Sequence, residues 1–116
     1  MKKYEIIKKH TEFNNLIKNA KFIKNKYFVI YNNDNNYNFS RFGIAISTKF
    51  GKAHIRNYYK RIIRNMIDLN KKLFSNNKDY IIMIKRTCLN VKYNELKSSL
   101  EELLKELKKW KRKLNY

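Results

Sequence analysis

Arg41-Phe42-Gly43-Ile44-Ala45-Ile46-Ser47-Thr48-Lys49-Phe50-Gly51-Lys52-Ala53-His54-Ile55-Arg56-Asn57-Tyr58-Tyr59-Lys60-Arg61-Ile62-Ile63-Arg64 is the stretch on which the fold of this chain turns. Its first seven residues alternate, with Phe42, Ile44 and Ile46 on one face, the period of a strand laid against a core. A long helix is predicted from about Ala53 to Phe74, ending near Asn76-Asn77. At 100° per residue, Ile55, Tyr59, Ile62, Met66 and Leu73 share one face of that helix. Asn57, Lys60, Arg61, Arg64 and Lys71 lie opposite, flanked by Arg56 and Lys72. The helix therefore presents a basic ridge and anchors its back in a core. Three of the chain's six arginines sit on this segment, and guanidinium forks suit phosphate oxygens.

Upstream, Thr11 is placed to cap a short helix that carries Phe13, Leu16 and Ile17 and closes at Asn19. Phe22 to Tyr31 is rich in aromatic and β-branched residues and reads as one strand. Tyr27, Val29 and Tyr31 point one way along it, Phe28 and Ile30 the other. One set belongs to a core; the other is either core as well or a platform on which unpaired bases stack. Asn32 to Asn36 reads as a turn. Downstream, Tyr80 to Ile84 is a continuous apolar run, as in a strand covered on both faces. The segment from about Val91 to Leu114 is helical, with Leu96, Leu100, Leu103, Leu107, Trp110 and Leu114 in one stripe. Its other face and flanks carry Lys97, Lys105, Lys108, Lys109, Lys111, Arg112 and Lys113. Docking on the sheet with its charges solvated is favoured for this helix over a membrane-surface role.

The chain has 116 residues, the size of one domain spanning residues 1–116. At 43% apolar and 15% aromatic content it is not a disordered tail. Lys and Arg number 28 against 9 Asp and Glu, a net charge of +19 that calls for a polyanion close by. The longest apolar runs are five residues, far short of the ~20 that span a bilayer, so no membrane partner is expected. Ile6-Ile7 runs into Lys8-Lys9, so no secretory apolar core follows Lys2-Lys3. One cysteine, Cys88, fits a reducing, cytoplasmic setting. Proline is absent and there are only two glycines, so the 17 asparagines are expected to make the turns. His10, His54 and Cys88 lie too far apart for a zinc site of usual ligand spacing, and Glu101, Glu102 and Glu106 sit among lysines on a helix. Catalytic groups are therefore expected outside this chain. A nucleic acid is the favoured polyanion, and composition alone leaves a ribosomal or ribosome-associated structural RNA-binding protein as an alternative.

The Arg41–Arg64 stretch closely resembles the signature of the bacterial ribonuclease P protein subunit: a strand reading R-x-G-(apolar)-x-(apolar)-S, a K-x-G-x-A turn, then R-N-R-x-K-R-(apolar)-(apolar)-R on a helix. The order is kept through the Phe13 helix, the Tyr27-to-Tyr31 strand, the Asp79-Tyr80 strand start and the Tyr93 helix. The resemblance implies an α/β (α+β) domain in the order helix, three strands, helix, strand, helix, around a mostly antiparallel sheet with a left-handed crossover. Phe22–Ser47 must then supply three strands. It implies an endoribonuclease holoenzyme that removes the 5′ leader from precursor tRNA, with catalysis by an RNA subunit and by Mg²⁺ held mainly in that RNA. No obligate protein partner is implied. RNA-subunit contacts fall on Lys49, Lys52, Arg56, Asn57, Tyr58, Lys60, Arg61 and Arg64. Leader contacts fall on Phe13, Ile17, Tyr27 and Tyr31. Tyr58 replaces the second motif arginine, Thr48 a common lysine, and Ile17 a frequent aromatic.

Overall fold

Asparagine side chains turn this proline-free chain at polar breaks that hold no glycine. The computed structural model describes residues 2–7 and 10–114; the side chains of residues 10 and 110–114 lie outside the description. The expected stripe residues Trp110 and Leu114, and the charges at 111–113, therefore fall outside the described side chains. The elements run α1 (His10–Asn19), β1 (Lys21–Lys24), β2 (Phe28–Asp34), β3 (Arg41–Ala45), α2 (Ala53–Leu69), β4 (Lys78–Ile84) and α3 (Tyr93–Leu114). Short 3-10 turns join them at Lys3–Glu5, Thr48–Phe50, Lys71–Leu73 and Arg86–Cys88. α1 begins one residue before the Thr11 expected to cap it, and closes at Asn19 as expected.

Phe22 to Tyr31 is two strands and not one. The Asn25 side-chain oxygen accepts from the N–H groups of Tyr27 (3.0 Å) and Phe28 (2.9 Å). Its amide nitrogen donates to the carbonyl and hydroxyl of Ser99 on α3. This turn makes a hairpin with Phe22 opposite Tyr31 and Lys24 opposite Val29, which supplies the third strand before α2. The expected turn at Asn32 starts instead at Asn35, because β4 reaches back to Lys78 and pairs with Asn32, Asn33 and Asp34. Asn35 then holds the loop, accepting from the Tyr37 N–H and donating to Asp79. Asn77 and Asn90 take left-handed backbone, at φ 67° and 64°, before β4 and α3.

The sheet order is β1-β2-β4-β3, antiparallel except for the parallel β3–β4 pair. Parallel neighbours need a crossover, and α2 is that crossover. Central β4 is covered on both faces as expected. Tyr80, Ile82 and Ile84 join the larger core with α2 and α3, whereas Ile81 packs under α1 with Ile7 and Leu16. In α3, Leu96, Leu100, Leu103, Leu104 and Leu107 are buried in the larger core. Among the described residues no helix is long and apolar enough to cross a membrane. Cys88 is buried, and that burial pushes its thiol up to about 11.

The basic helix is shorter than its periodicity suggests. α2 stops at Leu69, where the Asn70 side chain donates to the Met66 carbonyl at 2.9 Å. Lys71 consequently leaves the ridge: it pairs with Glu5 and its ammonium lies 5.2 Å from the centre of the Phe42 ring. The buried stripe is Tyr59, Ile63, Met66 and Ile67, with Ile55 and Ile62 only partly buried. It is rotated from the expected face because α2 shares its core with the α3 leucines as well as the sheet.

Arg41 and Asp79 are register partners on β3 and β4. The guanidinium donates to both Asp79 oxygens, at 2.9 and 2.7 Å, and reaches Glu12 of α1 at 3.3 Å. The Asp79 hydrogen bonds hold the guanidinium well above its ordinary pKa, so it is always charged. Asp79 is only 7% exposed, and removing one member of a buried pair leaves the other uncompensated. Arg41→Ala is expected to destabilise the fold by about 3 kcal/mol. Urea unfolding should show a lower midpoint at unchanged m-value.

Candidate nucleic-acid interface

The turn into α2 is built to present cations. The Ser47 hydroxyl accepts from the Lys49 N–H at 3.2 Å, and the Arg56 Nε donates to the Gly51 carbonyl at 3.2 Å. The first turn of α2 carries no acidic residue, so the positive end of its dipole is not offset by a carboxylate. Lys49, Lys52, Asn57, Tyr58, Arg61 and Arg64 are exposed; Arg56 and Lys60 are half-buried. All eight residues expected to contact an RNA subunit thus lie on one contiguous segment, but on two flanks. Lys60 and Arg64 border hollows beside β3, whereas Tyr58 and Arg61 border another beside the start of α3.

On the opposite face of the sheet, Phe13, Ile17 and Tyr31 meet in one cluster with Leu16 and Ile81. Gly43 makes this possible: a Cβ there would stand 2.7 Å from Phe13 Cε2. Phe13 lies against bare backbone and lines two adjoining hollows, of about 120 and 360 Å³, that run along β3. Lys60 lines both hollows, so Phe13, at the edge of the aromatic cluster, and the basic helix meet across this strand, while Ile17 and Tyr31 line neither hollow.

Tyr27 is not on that face. It precedes β2, where the alternation of the strand has not begun, and is buried in the larger core with its hydroxyl donating to Glu95 at 2.9 Å. That bond is the leading cause of its raised pKa. Phe22, absent from the expected set, is 54% exposed, and its ring centre lies 5.7 Å from that of Tyr31. The signal for it was cross-strand pairing, which becomes readable only once the turn at Asn25 is placed. Among the described residues no group of three or more His, Cys, Asp or Glu side chains is placed to hold a metal ion.

A family model described as Ribonuclease P matches residues 1–108. The ribonuclease P protein component of Mycoplasma mycoides is 39% identical over 109 residues, covering 93% of this chain and all of that protein. The solved ribonuclease P protein of Staphylococcus aureus superposes with a TM-score of 0.81 at 31% identity, over 89% of this chain and 94% of that one. That of Thermotoga maritima gives 0.80 at 29% identity, over 88% and 96%.

The Phe13–Gly43 contact makes a coupled prediction. Gly43→Ala should lower stability by about 1–3 kcal/mol through overpacking. In a Phe13→Ala background the same change should cost much less, since the clashing ring is gone. Urea unfolding of the four-member cycle measures the coupling.

Proposed function

Since this chain belongs to the ribonuclease P protein family and is the protein subunit of that tRNA-processing ribonucleoprotein, we propose that its two surfaces divide the work of binding two RNAs. The exposed cations of α2 and the turn before it bind the catalytic RNA subunit, through Lys49, Lys52, Arg56, Asn57, Lys60, Arg61 and Arg64. The cleft formed by Phe13, Ile17 and Tyr31 takes the single-stranded 5′ leader of precursor tRNA. The observation that carries this reading is the contiguity of the two surfaces at Lys60. One protein can thereby bridge an RNA packed on α2 and a strand passing over β3.

In this reading the RNA subunit cleaves the leader in the cytoplasm, with Mg²⁺ held mainly by that RNA. This chain's residues bind and orient. The cations of α2 neutralise phosphates and release condensed counterions, a gain that salt weakens. The aromatic cleft offers π-faces that accept any base, which suits leaders of differing sequence. Phe22, beside Tyr31, extends that platform onto β1.

Arg61→Ala and Arg64→Ala should each weaken RNA-subunit binding about tenfold to a hundredfold, from roughly 1.5–3 kcal/mol per charge-assisted contact. Each should also flatten the log–log salt dependence by about 0.7–0.9. Both side chains are exposed, so thermal unfolding should not change. Tyr31→Ala should lower the affinity of the reconstituted complex for precursor tRNA, with little change for mature tRNA. An unchanged ratio of the two affinities would show that the cleft does not hold the leader.

A further inference from the structure

The flank of α2 away from β3 carries a second feature, in which cations and aromatic rings meet. Tyr58, Arg61, Ile62 and Asn65 of α2 and Tyr93 at the first position of α3 line a hollow of about 330 Å³. That volume lies at the lower end of small-molecule sites, which run from about 300 to 1,000 Å³. Tyr58 is 53% exposed and Tyr93 36%, large apolar areas to leave in water beside an arginine.

Both rings are braced. Tyr58 stands edge-on to Tyr59, with centres 5.4 Å apart at 85°. Tyr59 is itself buried, edge-on to Phe50, and within hydrogen-bond reach of the Cys88 carbonyl. The Tyr93 hydroxyl donates to the Asn65 oxygen at 2.7 Å. With its oxygen turned to Tyr93, Asn65 keeps its –NH₂ group as a donor. The hollow thus combines two aromatic rings, an apolar floor at Ile62, an amide donor and a guanidinium at the rim. Those are the elements that hold an unpaired nucleobase: π-faces to stack on, a donor for its edge and a cation for its phosphate.

We propose that Tyr58 and Tyr93 form a subsite for one unpaired base of the RNA subunit that packs on α2. The occupant follows from position: the subsite continues the exposed cationic surface of Arg61 and Arg64, and it lies on the flank of α2 away from the Phe13 cleft. This rests on the reading of α2 as the RNA-subunit interface and adds to it a non-ionic contact. Stacking and phosphate contacts differ in their response to salt, which separates the two claims.

The test is the affinity of the full-length protein for the transcribed catalytic RNA of its own organism, measured across a salt series. Tyr58→Ala and Tyr93→Ala should each weaken binding about five- to a hundredfold at an unchanged salt slope. The double variant should be no weaker than the weaker single one, because both lose the same base. Tyr58→Phe, which keeps the ring, should bind within about twofold of the parent. The affinity of the assembled complex for precursor tRNA should not change. Parent-like binding by Tyr58→Ala, a flattened salt slope, equal loss in Tyr58→Phe, or an effect confined to precursor tRNA would each overturn the subsite. If Arg64→Ala also binds like the parent, the reading of α2 fails; if Arg64→Ala is weak and Tyr58→Ala is not, only the subsite does.

Discussion

The bidentate Arg41–Asp79 ion pair fixes the register of β3 on β4, and the surfaces assigned to RNA are positioned from β3. A one-residue slip would exchange the two faces of the strand. Phe42 would leave the core, where it stacks on Tyr80 at 5.8 Å and meets Phe74 edge-on. Gly43 would no longer lie beneath Phe13, and a side chain there would displace the ring that walls the cleft. Hydrophobic patterning disfavours the slip; the ion pair adds a directional lock, with Asn35 bracing the carboxylate and Glu12 tying α1 to the same guanidinium.

From that strand the chain sends one kind of chemistry to each side. α1 covers the face bearing Ile81 and leaves an aromatic cleft whose ring faces suit stacking. α2, the crossover demanded by parallel pairing, covers the other face and turns its cations outward, where attraction to phosphate falls steeply with salt. Lys60 reaches the boundary between them. A charge of +19 on a single small domain raises self-repulsion in the free protein, and a bound polyanion relieves it.

Much of this was legible in the sequence where local pattern and tertiary environment agree. The alternation of Phe42, Ile44 and Ile46 identifies β3, the apolar run at Tyr80–Ile84 identifies a doubly covered strand, and the spacing of leucines identifies α3. What stayed hidden depends on side-chain hydrogen bonds or on contacts between distant segments. No glycine or proline interrupts Phe22–Tyr31, and without such a breaker the polar triplet Lys24-Asn25-Lys26, which the Asn25 side chain folds into a turn, is not distinguished from the interior of a strand. Tyr27 looked like a strand residue because that turn was unseen. Leu73 continued the helical spacing past Asn70, which hid the end of α2 and drew Lys71 onto the ridge. The cleft's Phe22 needed the hairpin register, and the hollow shared by Tyr58 and Tyr93 needed α3 packed against α2.

The central claim is that the single-stranded RNA site and the cationic α2 site are adjacent but distinct. Titrating the isotopically labelled protein with a short single-stranded RNA at moderate salt, and following backbone and aromatic NMR shifts, tests it most directly. Shifts should be strongest on Phe13, Ile17, Phe22, Tyr31 and Gly43 and weaker at Lys60 and along the rest of α2. Shifts centred on Arg56 to Arg64, with Phe13 and Tyr31 unmoved, would contradict it.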